Sequence, residues 1–312
     1  MVGTVAESFL TVAQQVLILF LLIGVGFLCG RFRMLNENAV KCLADIVLYV
    51  VTPCIIVRSF IRPYDPAMLG GLLASLLAAF GTMGLFIAAA HLIFRGKDEA
   101  RRRVLRFGVV FSNCGYMAFP LQEALLGDTG VFYGSAYVAG FNVILWTYGL
   151  LLMSGDTKAL SAKKILVNPG IIGLVIGLIV FLFSIPVPDV LAVPMEHLSA
   201  LNTPVPMLII GYYLAHTKIL EALRDRGSYL AIALRLVVLP LVALFGMMLC
   251  GLRGPVLVAC AIAVSAPVAS ATTMFSAKFG QDTLLSVNLV SLSTLFSIVT
   301  MPLIVGLAQI WS

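Results

Sequence analysis

Two apolar runs in this chain are interrupted at matching points by small polar residues, glycine and proline. The first reads Ser112-Asn113-Cys114-Gly115 and continues through Phe119-Pro120 to Asp128-Thr129. The second reads Ser265-Ala266-Pro267-Val268 and continues through Ala271-Thr272 to Asp282-Thr283. An offset of 154 residues lays Asp128 onto Asp282 and Asn113 onto Pro267. Proline removes a backbone donor and disfavours helix in the residue before it. A helix broken inside lipid frees N–H and C=O groups, which is tolerable only within protein or beside a cavity. Either break alone would read as a proline kink satisfied by neighbouring helices. Two breaks at corresponding points of two halves point instead to a transporter's substrate site.

The chemistry available there is that of an anion site. Neither break contains Asp, Glu, Lys or Arg. The segment after each break is expected to start a half-helix, near Gly115 and near Val268. A helix N-terminus presents free N–H groups and a partial positive charge, which suits a carboxylate. Asn, Ser and Thr side chains would supply the remaining hydrogen bonds.

The elements that carry these breaks are membrane helices. The chain has 312 residues, 61% of them hydrophobic and 11% charged, with a mean hydropathy of +1.08. A soluble domain would carry about 25% charged residues, so a water-soluble fold is excluded. The apolar stretches predict ten spans, over residues 8–29, 39–61, 67–94, 105–126, 129–153, 169–185, 197–216, 229–251, 255–277 and 283–308. With the N-terminus outside, sixteen of the twenty Lys and Arg fall on inner loops. Arg58, Arg62 and Arg253 lie outside and Arg235 lies within a span. The excess of cytoplasmic basic residues places both termini outside the cytoplasm of a cell (inner or plasma) membrane. The net charge of +6 then reads as topology signal and contact with anionic lipid, with no nucleic-acid partner. Residues 1–30 lack a basic start and carry too long an apolar run for a cleaved signal peptide.

Five spans precede the loop around Ser154 to Val167 and five follow it. An odd number per half inverts the second half, giving a five-plus-five inverted repeat over residues 1–155 and 156–312. Thr52-Pro53 in span two is echoed by Thr203-Pro204 in span seven. Asp128 and Asp282 each precede a helix and are expected to cap its first turn.

Polar residues inside spans are the remaining candidates. Asn142 is a lone amide in an apolar span, either a site residue or an inter-helix hydrogen bond. Asn288, Ser293 and Thr294 lie in span ten. Asp45 and Arg235 each fall roughly 10 Å deep from the cytoplasmic side. They could pair; alternatively Asp45 could carry a proton or cation and Arg235 could snorkel to the headgroups. Glu123 sits near the outer end of its span. His91, His197 and His216 sit near span ends. The six cysteines show no metal-ligand spacing, and no hydrolase, zincin or phosphate-loop motif is present. An enzyme is not expected, nor any metal or cofactor. H+ or Na+ are the candidate coupling ions.

The chain resembles the auxin efflux carrier family, which includes plant PIN proteins and bacterial malate or malonate permeases. The resemblance runs over essentially the whole chain. It is carried by Ser112-Asn113-Cys114-Gly115 through Phe119-Pro120-Leu121, by Asn168-Pro169, and by Arg235 through Pro240. Ser265-Ala266-Pro267 and Ser293-Thr294 through Met301-Pro302 complete it. It implies an all-α membrane fold of ten transmembrane helices, similar to that of the bile-acid/sodium symporters. Spans one, two, six and seven would form a scaffold, and three to five with eight to ten a moving transport domain. Family members form homodimers through the scaffold and work by elevator-like alternating access. By position Asn113 matches the family's crossing asparagine and Pro267 a crossing proline. Asn142 matches a polar site position, and Thr52 a scaffold wall.

The chain departs from the PIN relatives in two ways and from the more distant sodium symporters in a third. Ser112 stands where PIN relatives carry proline. The long central loop of the plant proteins is absent. No acidic residue marks the crossing, as one does in sodium symporters.

The expectation is a secondary transporter of small organic anions, its export driven by the membrane potential. The alternative is a proton- or sodium-coupled importer of dicarboxylates. The expected substrate-binding set is Thr52, Ser112, Asn113, Cys114, Gly115, Asn142, Ala266, Pro267 and Val268. Asn113, Pro120 and Pro267 form the crossing, and Asp45 is the candidate for ion coupling. A receptor that binds without moving its ligand is the rival from another class.

Overall fold

The computed structural model describes residues 2–156, 167–216 and 226–312. Lys158, Lys163, Lys164, Lys218 and Arg224, all assigned to inner loops above, lie outside them. The described chain is helical, with no strand. Seven helical stretches are long and apolar enough to cross a membrane, the first at Leu10–Arg31 and the last at Thr283–Ile310. Two shorter apolar helices, Pro169–Leu182 and Gly254–Ser265, accompany them.

In chain order α1 is Val2–Arg31 and α2 Glu37–Ile46, which passes through a π turn into α3, Thr52–Ser59. Pro53 cannot donate to the preceding turn, and the wider ring ahead of it accommodates that loss. α4 is Pro66–Ile93. The expected break divides span 105–126 into two helices, α5 at Glu99–Val110 and α6 at Ala118–Leu126. α7 is Asp128–Ile144, continued by a second π turn and α8, Leu150–Ser154. α9 is Pro169–Leu182, α10 Asp189–Ser199 and α11 Pro204–Ala215. The stretch expected to begin at residue 197 thus begins at Asp189, because the Pro188 carbonyl already accepts from Leu191 and Ala192. α12 is Arg226–Ala233, and a third π turn, Leu234–Val238, leads to α13, Leu239–Leu249. The expected span 255–277 is also two helices, α14 at Gly254–Ser265 and α15 at Ala271–Lys278. α16, Thr283–Ile310, closes the chain.

Helix starts are set by side-chain caps. Asn36, Asp65, Asp98, Asn168 and Asp282 accept from first-turn N–H groups of α2, α4, α5, α9 and α16. Pro66 and Pro169 occupy first helical positions, where no donor is needed. Asp128 departs from the expected capping role. Its carboxylate faces Arg58 Nη2 at 2.8 Å, and Gly127, at φ +59°, makes the tight turn into α7 instead.

Apolar side chains face outward as well as filling the core. Large side chains on α1 (Leu17, Leu21, Leu28), α4 (Leu73, Leu77) and α16 (Val299, Leu303) face outward. Buried polar groups instead join helices. Ser75 Oγ donates to the Tyr133 carbonyl at 2.7 Å, and the Thr82 and Tyr137 hydroxyls meet at 2.9 Å. Gln122 Nε2 donates to the Ala259 carbonyl at 2.8 Å, tying α6 to α14.

α1 and α11 pack with their backbones in contact. A Cβ on Gly211 would collide with the Ile23 carbonyl oxygen, and one on Gly26 with that of Leu208. Small residues allow such approach where lipid provides no hydrophobic drive for helix association. Gly211→Val is therefore expected to cost about 1–3 kcal/mol through overpacking. Gly24→Ala on α1, where a Cβ meets open space, should stay within about 0.5 kcal/mol. Thermal unfolding of the two detergent-purified variants checks this; equal midpoints would refute the close packing.

Candidate functional site

Both helices that enter the breaks end just short of them. α5 gives way to an extended Phe111 (φ −97°, ψ 116°) and α14 to an extended Ala266 (φ −59°, ψ 147°). Pro267 imposes the second ending, since the residue before proline avoids helix. Ser112 and Val268 then pair as an isolated antiparallel bridge. Asn113 N–H donates to the Pro267 carbonyl at 2.7 Å, and Ala269 N–H to the Phe111 carbonyl at 2.9 Å. Val268 N–H reaches Ser293 Oγ at 3.0 Å, and that hydroxyl donates to the Val290 carbonyl at 3.1 Å. The two interruptions thus satisfy one another, with one side chain of α16 helping.

Regular helix resumes three residues later than expected on each side, at Ala118 and Ala271. The bridge takes the first N–H groups, so each chain must turn before it can coil. The first bonds of the new turns run from Met117 N–H to Asn113 O at 3.1 Å and from Thr272 N–H to Ala269 O at 2.9 Å. The N–H groups just ahead of them have no intrahelical acceptor.

Arg235 sits on the third π turn and is 1% exposed. Its guanidinium donates to the carbonyls of Val109 and Ala266, each at 3.3 Å, and of Val264. Phe86 lies against its face, 5.1 Å from ring centroid to Cζ. It neither pairs with Asp45 nor reaches a headgroup region: every bond recorded for it goes to a backbone carbonyl. Asp45 is exposed on α2, within electrostatic reach of Tyr116.

The expected site residues fall into two places. At the crossing, Ser112, Asn113, Cys114, Ala266, Pro267 and Val268 are all buried. Asn113 is 5% exposed, and its amide Nδ2 has no hydrogen-bond partner. Gly115 borders open space, with no atom within 4 Å of where a Cβ would stand. Tyr116, which sequence reasoning passed over, packs against Val40 and Val47 of the second span and Ile209 and Tyr212 of α11. Asn288 of α16 is buried with Oδ1 unpartnered.

Asn142 belongs to the second place. It accepts from Asn168 Nδ2 at 3.4 Å, and Asn168 in turn caps α9. A Cβ on Gly170 would stand 3.6 Å from Asn142 Nδ2 and 3.9 Å from Ile56. Thr52 opens α3, beside the Pro53 against which Gly173 packs. Pro120 lies in the first turn of α6 rather than at the bridge, where its missing donor costs no helical bond.

Beyond the crossing, α6, α1 and Thr203 border a half-open pocket of about 210 Å³ lined by Gln15, Leu19, Pro120 and Glu123. None of the bridge residues lines it. At the same end, Arg58 faces Glu123 at 3.4 Å as well as Asp128. Arg62 donates to Thr129 Oγ1 at 3.2 Å. These bonds tie α3 and the loop after it to α6 and α7.

Comparison with known proteins agrees with this membrane architecture. Residues 11–305 match the family model described as membrane transport protein. The chain is 24% identical over 302 residues to an uncharacterized transporter of Methanothermobacter thermautotrophicus, covering 95% of this chain and 98% of that one. It is 24% identical over 211 residues to an uncharacterized transporter of Methanocaldococcus jannaschii, covering 64% of this chain and 68% of the relative. The family is one of membrane transporters and not of enzymes. Broken helices bridged within an all-helical, lipid-facing fold and a family match over nearly the whole length lead to one assignment: the chain belongs to the membrane transport protein family, that of the auxin efflux carriers.

Proposed function

We propose that this protein is a secondary transporter of small organic anions, with its substrate site at the crossing of the two broken spans. The observation that carries the reading is the Asn113 amide, buried with its Nδ2 donor unpartnered, at the foot of a half-helix whose first N–H groups have no intrahelical acceptor. A carboxylate would satisfy both kinds of donor. No acidic side chain lies in either break to repel it. Ser112, Cys114, Gly115, Ala266, Pro267 and Val268 would shape the floor, and Tyr116 the side toward α2 and α11. Asn142 and Thr52 would line the wall between the two helix groups.

In this reading the seven long helices, the short α9 and the two broken spans make ten membrane passes in two inverted sets of five. Residues 1–155 and 156–312 are the halves. Spans one, two, six and seven are a scaffold that pairs with a second copy. The other six move as an elevator in the cell membrane, with both termini outside the cytoplasm. No cofactor is involved. An interior-negative potential contributes about 2.3 kcal/mol per charge per 100 mV, so a monovalent anion could leave without a coupled ion. In the coupled alternative, Asp45, exposed on α2, is the carboxylate that would carry the ion.

Two experiments test the reading. Asn113→Ala should lower carboxylate flux into proteoliposomes by about tenfold or more, the loss of a hydrogen bond to a charged group, with its thermal unfolding midpoint near wild type. Wild-type flux in that variant would remove Asn113 from the site. A valinomycin-imposed potential of 100 mV should sustain an anion gradient of about fiftyfold without sodium or a pH gradient. Accumulation that follows a sodium or proton gradient and ignores potential would favour the coupled importer of dicarboxylates.

A further inference from the structure

Arg235 is the one cation at the centre of the described structure, and the crossing has been built around it. A buried charge costs several kcal/mol unless it is compensated, yet none of the described ion pairs involves Arg235. Its compensation comes from backbone. Val109 lies in the last turn of α5, and Val264 and Ala266 at the end of α14. These are the carboxyl ends of the two helices that stop at the crossing. Each such end carries a partial charge of about −0.5, so the pair opposes a full positive charge. The face of Phe86 adds a further favourable contact.

Residue type matters as much as charge. The guanidinium is a planar fork with five donors, whereas a lysine ammonium is a compact point charge. Only the fork can reach carbonyls on two different helices at once. In transporters with broken helices, unwound carbonyls and half-helix carboxyl ends are also where a coupling sodium or proton is held. Here those oxygens already have a donor.

We infer that Arg235 is a resident, covalently fixed cation that positions the crossing: it joins the carboxyl ends of α5 and α14 and fills the carbonyl site that a coupling ion would otherwise occupy. It acts on the substrate only through the bridge it holds, so it is a positioning residue. The role rests on the crossing being the substrate site, but the carbonyl cage itself does not depend on which substrate is carried.

The test uses purified full-length protein. Wild type should show the same thermal midpoint in sodium, potassium and choline chloride. Arg235→Ala should lose about tenfold or more of its flux, as a buried set of acceptors loses its charged donor. Millimolar ethylguanidinium should raise the midpoint of Arg235→Ala and restore part of its flux, leaving wild type unchanged. Ethylammonium, of equal charge but no fork, should do neither.

Arg235→Lys should fold but transport poorly, and it keeps the question decidable if Arg235→Ala does not fold. Wild-type flux and midpoint in Arg235→Lys would overturn the joining role. Sodium-specific stabilisation of wild type would overturn the filled site. Equal rescue of Arg235→Ala by ethylammonium would overturn the need for a fork. The thermal readout needs no substrate, so a failed carboxylate assay with intact guanidinium rescue would fault the proposed substrate and leave the Arg235 role standing.

Discussion

A backbone interrupted inside an apolar protein must find a partner for every group it frees, and that constraint organises the centre of this molecule. A buried donor or acceptor left unpaired costs about 1–3 kcal/mol, and two helices stop here within bonding distance of each other. The solution has three parts. The interruptions pair with one another through Asn113 N–H to Pro267 O and Ala269 N–H to Phe111 O. Ser293 of α16 takes the Val268 N–H, which points away from that pairing. Arg235 takes carbonyls at the carboxyl ends of the two helices that enter the breaks. Each part comes from a different span, so the crossing exists only when α5, α14, α16 and the π turn before α13 are all packed.

How much of this was legible in the sequence follows from what each residue type says locally. Pro267, and the run from Asn113 to Pro120, cannot continue an ordinary helix, so the breaks could be read directly. The membrane character and the approximate spans followed from hydropathy. The bridge could not be read, because the oxygens of Phe111 and Pro267 are backbone atoms that carry no residue signature. The same holds for the carbonyls that Arg235 meets, which is why an ion pair with Asp45 or snorkelling to the headgroups were the roles the sequence suggested. Asp128 and Asp282 show the limit plainly. They occupy equivalent places with the same following threonine, yet one caps α16 and the other turns to Arg58. The Asp-Thr pair is the same in both places, and the preceding Gly127 with the distant arginine decides between the two roles.

Asn142 makes a related point. A lone amide in an apolar span is consistent with a ligand site or with an inter-helix bond. The structure supplies the bond, to Asn168 at the start of α9. That does not exhaust its hydrogen-bonding capacity, since an amide carries two donors and two acceptor positions. Its place beside Gly170 and Ile56 sets it at the contact between α7 and the α3–α9 group, where a substrate held at the crossing would have a second helix group on its other side.

The electrostatics at the crossing are lopsided in a way that bears on both ligand and motion. The negative ends of α5 and α14 are answered by Arg235, whereas the positive ends that open α6 and α15 have no acidic side chain from either break to answer them. What remains uncompensated is positive, and this favours an anion over a cation. The same bonds constrain how the site can move. Pulling the two breaks apart would strip both bridge hydrogen bonds and leave Arg235 unable to span its carbonyls, all within an apolar interior. Moving α5, α6, α7, α14, α15, α16 and the third π turn together against α2, α3 and α11 breaks none of these. Across that boundary lie the apolar packing of Tyr116, the aromatic contact of Phe60 with Phe132 of α7 and the half-buried Arg58 pairs with Glu123 of α6 and Asp128 of α7. Every bond of the crossing thus lies within one group of helices, and this supports the proposed movement of the crossing as a unit.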